Sequence, residues 1–177
     1  MFESKVITDK QKIEELLTKG VDEVINKDHL RERLLKGEKL RVKLGIDPTS
    51  PNIHLGRAVV LWKLRQFQNL GHKAIFIVGD FTGQIGDTSD KESERPMLSA
   101  DEVEQNLKTY FKQAYKILDQ HNIETHYNSS WLKKLGFLEI GRMADNFGLH
   151  EFTIRELIKK RLDAGKRVSL REILYPL

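Results

Sequence analysis

The stretch that joins a β-favouring run to an amphipathic helix constrains the fold of this chain more than any other. Residues 41–46 favour a strand, and residues 55–70 carry apolar side chains at the spacing of a helix. Two prolines and two glycines punctuate residues 45–57, which predicts a loop that ends in the first turn of the helix. The N–H groups of that turn and the helix dipole would favour an anion such as a phosphate.

Further elements extend this unit into an α/β fold. Residues 74–78 form a near-continuous apolar run, as expected of a strand buried on both faces of a parallel sheet. Residues 79–98 predict a long loop, after which Ser99 and Glu102 have the spacing of a capping box and open a helix. Residues 123–127 predict a third strand. The order is therefore βαβαβ, without the G-x-G-x-x-G pattern of a dinucleotide-binding loop.

Helical segments lie on both sides of these strands in the sequence. Residues 9–37 show helical spacing punctuated by Gly20, which predicts an N-terminal helical arm over residues 1–40. Residues 41–177 would then carry the sheet within a single structural domain overall.

The last third of the chain predicts shorter helices. Residues 130–164 show helical segments broken at Gly136 and Gly148. Ser169 and Glu172 have the spacing of a second capping box, which begins a final helix.

Composition excludes several classes of protein. The 177 residues contain no cysteine, which excludes disulfides and thiolate zinc sites. No apolar run approaches the roughly 20 residues that span a bilayer, and the N-terminus lacks the layout of a signal peptide, so we expect a cytoplasmic protein without a membrane partner. The net charge of +4 is compatible with binding nucleic acid or nucleotides, although solvated helix faces explain most of the basic residues equally well.

The loops after the first two strands contain the strongest candidates for chemistry, because ligands of an open parallel sheet bind beyond the carboxyl ends of its strands. His54 could donate to phosphates, or it could cap the helix without a ligand. Asp47 and Thr49 could contact the same ligand, or they could stabilise the turn around Pro48. Gly56 has no side chain, so a bulky ligand could lie directly on the backbone there.

The amino-acid sequences of these two loops resemble those of a known family. Residues 45–56 read Gly-Ile-Asp-Pro-Thr-Ser-Pro-Asn-Ile-His-Leu-Gly, and residues 78–87 read Val-Gly-Asp-Phe-Thr-Gly-Gln-Ile-Gly-Asp, with Lys-Glu-Ser-Glu-Arg at 91–95. The first block resembles the His-x-Gly-His signature of class I aminoacyl-tRNA synthetases, and both blocks together resemble tyrosyl-tRNA synthetases. The resemblance implies a Rossmann-like class I synthetase fold, of which residues 41–177 would be the first part of the catalytic domain, incomplete at the C-terminus.

The activity that the resemblance implies is that of a tyrosine–tRNA ligase. Such an enzyme activates tyrosine with ATP to tyrosyl-adenylate and transfers the tyrosyl group to tRNA(Tyr). Magnesium would accompany ATP, without a metal held by the protein itself. A homodimer is also implied, with residues 128–165 as the natural contact region. The alternative is a non-catalytic module that binds nucleotide or tyrosine. A third interpretation, the related tryptophanyl enzyme, is disfavoured by the Asp-Pro-Thr sequence and by Asp87.

The resemblance also implies roles for individual residues. His54, Lys91 and Arg95 would be catalytic, because adenylation requires alignment and stabilisation of charge on the phosphates rather than covalent help. Lys91 and Arg95 could otherwise be an ordinary solvated run. Asp87 would hold the α-amino group of tyrosine, although a turn or cap is the other interpretation. The predicted ligands of ATP are Asp47, Thr49, His54, Gly56 and Arg57, and those of the substrate are Gly45, Thr82, Asp87 and Asn128.

Three departures from the family pattern bear on these roles. Arg57 stands where the signature has its second histidine, which changes the reach and charge of the donor. Thr88 and Asp90 stand where relatives usually carry proline and glycine, and Asp90 places a negative charge beside Lys91. The sequence ends at Leu177, before the other half of the family's tyrosine pocket and its lysine-rich second signature, so we expect these residues alone to be inactive.

Overall fold

The computed structural model describes residues 5–86 and 97–176, and this part of the chain contains ten helices and three strands. In chain order they are α1 Lys10–Thr18, α2 Lys27–Leu35, β1 Arg41–Ile46, α3 Leu55–Asn69, β2 Lys73–Val78, α4 Thr82–Ile85, α5 Ala100–Ala114, β3 Ile123–Tyr127, α6 Ser129–Leu132, α7 Phe137–Ala144, α8 Leu149–Thr153, α9 Glu156–Asp163 and α10 Leu170–Leu174. The strands form one parallel sheet in the order β1-β2-β3, which confirms the predicted α/β class. No helix in the described residues is long and apolar enough to cross a membrane.

The chain divides into two compact units. The first contains residues 5–45, 52–77 and 109–126, and the second contains residues 46–51, 78–86, 97–108 and 127–176. Each strand lies mainly in the first unit, and the residues that follow its carboxyl end belong to the second. The boundary predicted at residue 40 stays a prediction.

The N-terminal arm consists of two helices in the first unit. The helical spacing of residues 9–37 is interrupted after α1, where Gly20 has a φ of 62° that few other residues adopt. Asp9 caps α1 by accepting a hydrogen bond from the Lys12 N–H at 2.8 Å. The two helices share one buried apolar cluster with the residue before β1 and the residue after α3, and Val42 of β1 and Phe67 of α3 pack against it. The cluster is formed by Ile13, Leu16, Leu17, Leu34, Leu40 and Leu70. Burial of this cluster attaches the arm to the sheet.

Both predicted capping boxes are present. The Ser99 N–H donates to a Glu102 carboxylate oxygen at 2.7 Å, and the Glu102 N–H donates to Ser99 Oγ at 3.2 Å. Ser169 and Glu172 exchange the same two bonds, at 3.2 and 3.4 Å. The helices α5 and α10 therefore begin where the sequence predicts them.

His72 is a buried polar side chain immediately before β2. Its Nδ1 accepts a hydrogen bond from the Leu40 N–H at 3.3 Å, which ties the residue before β1 to the start of β2. Nε2 has no hydrogen-bond partner within the residues that the structure describes, and Phe67 packs against the ring. Burial lowers the pKa of His72, because the charged imidazolium would lose its hydration.

Acidification is expected to destabilise the protein through His72. The unfolded chain protonates this residue near pH 6.5, whereas the folded protein resists protonation. The contribution of neutral His72 is therefore complete above about pH 6.5 and is lost as pH falls through the lower folded pKa, by up to about 1.4 kcal/mol per pH unit. Urea unfolding of His72→Asn, whose Oδ1 can accept the Leu40 N–H, should lack this dependence. The exposed control His121→Asn should retain it, and equal pH profiles for both variants would contradict the assignment.

Candidate functional site

Three polar side chains meet in the second unit, beyond the carboxyl ends of the three strands. Thr82 Oγ1 donates to Asp47 Oδ1 at 2.7 Å, and Asn128 Nδ2 donates to Thr82 Oγ1 at 2.8 Å. Asn128 is buried, and its Oδ1 accepts a further hydrogen bond from the Phe81 N–H at 2.9 Å. Of the predicted site residues, the structure therefore brings together Asp47, Thr82 and Asn128.

Local structure explains why these side chains converge. Asp47 directly follows β1 and Asn128 directly follows β3, so parallel strands deliver both to one edge of the sheet. Thr82 begins α4, a single helical turn, so the prediction of a long loop over residues 79–98 is wrong at Thr82–Ile85. The turn is stabilised by the Thr82–Asp47 bond, which joins residues 35 positions apart and leaves no periodic signal in the sequence.

Tyr175 is a fourth member of this network, and its place there is not predicted from the sequence. Its hydroxyl donates to Asp47 Oδ2 at 2.8 Å, so each carboxylate oxygen of Asp47 accepts a hydrogen bond within the second unit. The two residues are 128 positions apart in the sequence. In the sequence, Tyr175 is a single tyrosine at the end of a predicted helix. That pattern does not indicate which residue its hydroxyl contacts.

Gly79 makes room for the network. A Cβ atom at this position would lie 1.8 Å from Asp47 Oδ1 and 2.4 Å from Thr82 Oγ1, which is closer than nonbonded atoms can approach. The backbone must also pass here, because the Gly79 N–H donates to Ile46 O at 3.0 Å. Only a residue without a side chain satisfies both requirements.

Replacing Gly79 by alanine should therefore disrupt the network and destabilise the protein by about 1–3 kcal/mol, the usual effect of overpacking. Gly141 is a matched control, because a Cβ atom there meets nothing within 4 Å in the middle of α7. Gly141→Ala should be neutral or slightly stabilising, since alanine favours a helix. Urea unfolding of the two variants measures the difference, and equal stabilities would contradict the steric argument.

An apolar cavity of about 360 Å³ adjoins this network within the second unit. Thr82 and Tyr175 form part of its wall, together with Arg171, whose guanidinium donates to the Ile85 carbonyl. The other lining residues are apolar: Phe81, Ile85, Met97, Leu132, Leu135, Ile140, Met143 and Leu174. A cavity of this kind suits a small ligand with an apolar body and a polar end.

His54 and Gly56 lie in the first unit, at the N-terminus of α3. His54 is the N-cap residue and is exposed, but its side chain makes no capping hydrogen bond. A Cβ atom at Gly56 would lie 3.2 Å from both Cε1 and Nδ1 of His54, so the imidazole lies over the glycine backbone. The ring thus lies beside the first turn of α3. The Arg57 N–H of that turn donates to His54 O at 3.0 Å. Leu55 and Gly56 carry the N–H groups that the bonding pattern of a helix leaves open at its start.

Arg57 follows in the same turn and is anchored to the interior of the first unit. Its Nη1 donates to the hydroxyl of the buried Tyr110 at 2.7 Å. Gln113, one turn further along α5, accepts a hydrogen bond from the Ile53 N–H at 2.9 Å. These two contacts fix the start of α3 against the last turn of α5.

Two further predicted residues lie on different units. Gly45 is exposed at the end of β1 in the first unit, where a Cβ atom would lie 2.9 Å from Lys43 Nζ. Thr49 belongs to the second unit, and its N–H donates to Asp47 O at 2.9 Å, so it forms part of the tight turn around Pro48. Asn106 Nδ2 donates to Pro48 O at 2.9 Å and holds this turn in place.

Comparison with known proteins decides the family. The pattern of the family described as tRNA synthetases class I (W and Y) matches residues 35–177. The chain belongs to this family. Curated relatives of this class I synthetase chain are named tyrosine–tRNA ligases: the protein of Mannheimia succiniciproducens is 47% identical over 161 residues, and tyrosine–tRNA ligase 2 of Clostridium acetobutylicum is 45% identical over 166 residues. These matches cover 91% and 92% of this chain but only 41% and 42% of the relatives.

Solved structures agree on the fold of the synthetase chain. A C-terminally truncated mitochondrial tyrosyl-tRNA synthetase from Aspergillus nidulans superimposes with a TM-score of 0.73 at 19% identity, over 94% of this chain and 54% of that one. A tyrosyl-tRNA synthetase from Archaeoglobus fulgidus, complexed with L-tyrosine, gives 0.71 at 21% identity, over 95% and 50% of the two chains. The predicted class I synthetase fold is confirmed.

Three predicted residues of the synthetase site, Asp87, Lys91 and Arg95, lie outside the described residues. Within residues 5–86 and 97–176, no group of three or more His, Asp or Glu side chains could hold a metal ion. The roles assigned to individual site residues stay predictions.

Proposed function

We propose that this chain is the first part of the catalytic domain of a tyrosine–tRNA ligase, which activates tyrosine with ATP and transfers the tyrosyl group to tRNA(Tyr). The observation that carries the proposal is the Asp47–Thr82–Asn128 network beside an apolar cavity, in a chain whose curated relatives are named tyrosine–tRNA ligases. We propose that the protein is cytoplasmic, because the proposed substrates ATP and tRNA(Tyr) are present in the cytoplasm.

The network of the second unit supports a site for the substrate amino acid. The Asp47 carboxylate would attract the α-ammonium group of tyrosine, because opposite charges attract strongly where water is partly excluded. Thr82 and Asn128 would orient that carboxylate, and the apolar cavity would accept an aromatic ring. These contacts support a role for Asp47 in binding tyrosine, in addition to its predicted role in binding ATP. Asp87 would supply the second carboxylate for the ammonium group.

The N-terminus of α3 in the first unit supports the ATP site. The exposed imidazole of His54 and the N–H groups around Gly56 are donors that suit phosphate oxygens. Lys91 and Arg95 would add positive charge as pyrophosphate leaves, and magnesium would arrive with ATP to neutralise the phosphates. The protein then contributes alignment and charge stabilisation, while the tyrosine carboxylate attacks the α-phosphate.

Tyrosine-dependent exchange of pyrophosphate into ATP, measured on the protein in its natural length, tests the proposal. Exchange is expected with tyrosine and not with tryptophan. Asp87→Ala should abolish tyrosine binding and retain ATP binding in calorimetric titrations. Binding of tyrosine or ATP without any exchange would support the alternative, a non-catalytic module, and exchange with tryptophan alone would reassign the substrate.

The substitution Arg57→His tests whether the arginine in place of the signature's second histidine changes the rate of pyrophosphate exchange. The variant restores the second histidine and removes the bond to Tyr110, so Tyr110→Phe serves as its control. Faster exchange in Arg57→His alone would mean that the arginine limits adenylation.

We also propose that the protein is a homodimer. Exposed apolar side chains recur in and after α7 and α8, where Phe137 is 93% exposed, Leu149 67% and Ile154 53%. Scattered apolar residues are normal on a surface, but a run of them indicates an interface. Sedimentation equilibrium should give a dimer that Phe137→Glu dissociates, and a monomeric parent protein would contradict the proposal.

A further inference from the structure

The end of α9 and the turn after it are strongly basic. Residues 159–167, here named the basic turn, carry four exposed cationic side chains and a single carboxylate, Asp163. The exposed cations are Lys159, Lys160, Lys166 and Arg167. Lys159 pairs with Asp163 at 2.5 Å, and Lys160 lies in the last turn of α9, where a cation complements the helix dipole. That explanation does not extend to Lys166 and Arg167, which lie beyond the helix.

The backbone of the basic turn is ordered by a Schellman motif. Gly165 has a φ of 65°, and its N–H donates to Leu162 O at 2.9 Å. The Lys166 N–H donates to Arg161 O at 2.9 Å. These two bonds are the pair that defines the motif at a helix C-terminus. Lys166 therefore projects from a fixed backbone position rather than from a loose tail.

A buried ion pair holds the same turn from inside the second unit. The side chains of Arg161 and Glu172 are 4% and 0% exposed, and Arg161 Nη1 lies 2.6 Å from Glu172 Oε2. Arg161 Nη2 also donates to Arg167 O at 2.5 Å. Removing two charges from water is expensive, so a pair of this kind is a costly way to order a surface turn. Its visible effect is to fix the backbone that presents Lys166 and Arg167.

We propose that the basic turn binds the phosphodiester backbone of RNA, and specifically of the tRNA substrate. The inference rests on the proposed function, which supplies an RNA partner. Cations on a preorganised backbone lose little entropy when they contact a phosphate. An anionic membrane is the other polyanion that such a surface could meet. A membrane-bound helix inserts an apolar face, whereas α9 buries Ile158 within the protein and exposes Leu162 alone among its apolar side chains.

Fluorescence anisotropy with a tRNA(Tyr) transcript and the protein in its natural length tests this surface. Lys166→Ser/Arg167→Ser should weaken binding about tenfold at low salt and reduce the slope of log K against log salt by about 2, because two phosphate contacts are lost. The variant keeps the backbone N–H and C=O groups that form the turn. The charge-retaining variant Lys166→Arg/Arg167→Lys should bind like the parent protein.

A matched control removes the same charge from the first unit. Lys112 and Lys116 are exposed at the end of α5, and Lys112→Ser/Lys116→Ser should change the affinity for the transcript less than twofold. Equal losses in both double variants, or none in either, would overturn the proposal. Binding of phosphatidylserine vesicles by the parent protein, abolished by Lys166→Ser/Arg167→Ser while the transcript still binds, would overturn it in favour of a membrane.

Exchange kinetics separate this inference from the proposed function. Tyrosine-dependent exchange requires no tRNA, so Lys166→Ser/Arg167→Ser should leave it unchanged and should raise only the KM for tRNA(Tyr) in aminoacylation. If the parent protein shows no exchange but loses transcript binding in this variant, the proposed function fails and the RNA surface stands. Circular dichroism should show the same unfolding temperature for the variant and the parent protein.

Discussion

Replacing His54 by alanine is expected to slow tyrosine-dependent ATP–pyrophosphate exchange about 10²–10³-fold, the usual effect of removing one donor to a developing charge. The imidazole is exposed and makes no capping hydrogen bond, so its loss should leave the fold intact. The rate should fall because the N-terminus of α3 would lose the donor that complements its backbone N–H groups at the phosphates. The expected loss is mainly in kcat, since the charge on the phosphates develops in the transition state.

Gly56→Ala provides a second test of the same ring. A Cβ atom at Gly56 would lie 3.2 Å from two atoms of the His54 imidazole, so the ring must move by a few tenths of an ångström. Alanine also favours a helix over glycine by roughly 0.5–1 kcal/mol. The variant should therefore be slightly more stable and yet slower, a combination that a purely structural role for His54 does not produce.

His29→Ala is the control for both substitutions, because His29 is exposed on α2 and belongs to neither loop. It should exchange pyrophosphate at the rate of the parent protein. Unchanged kcat in His54→Ala would remove His54 from the proposed mechanism, and a parallel loss in His29→Ala would point to an effect on folding.

The strands and the start of α3 could be predicted because their signals are local. Residues 41–46 and 123–127 are strands as predicted, and the helix expected at residues 55–70 is observed at Leu55–Asn69. β-Favouring composition, apolar periodicity and flanking turn residues lie within each segment and need no information from elsewhere in the chain. Asp47 and Asn128 each directly follow a parallel strand, which explains why both reach the same edge of the sheet. The sequence assigns them to different ligands, and their link through Thr82 is visible only in the structure.

The features that could not be predicted depend on distances between segments far apart in the sequence. Tyr175 reaches Asp47 across 128 residues, and Gly79 is indispensable only because Asp47 and Thr82 occupy the space of its missing side chain. Arg57 departs from the signature in the sequence itself, but its bond to Tyr110 is visible only in the folded unit. The division of the chain into two compact units could not be predicted either, because the sequence shows no linker and no change of composition at their boundaries.

Breaking the buried ion pair of the second unit should have the largest effect on stability. Glu172→Gln leaves the Arg161 guanidinium charged and buried without its counterion, which typically costs 3–5 kcal/mol. The amide oxygen can still accept the Ser169 N–H of the capping box, so the loss reports on the charge rather than on the cap. Urea unfolding followed by Trp131 fluorescence in a Trp62→Phe background reads this change from the second unit, where Trp131 lies.

Lys159 and Asp163 provide the matched control on the same helix. Their side chains are 61% and 63% exposed, against 4% and 0% for Arg161 and Glu172, so solvent screens the outer pair. Asp163→Asn should therefore shift the urea midpoint little. The double variant Arg161→Met/Glu172→Leu should recover much of the stability lost in Glu172→Gln, because it removes both charges and fills similar volume. Equal losses in Glu172→Gln and Asp163→Asn would show that burial does not govern this pair. The double variant would also separate two effects of the ion pair, namely stability and the ordering of the basic turn. Its second unit should be stable, but the basic turn would lack the Arg161 bond to Arg167 O. We therefore expect it to bind RNA more weakly than the parent protein.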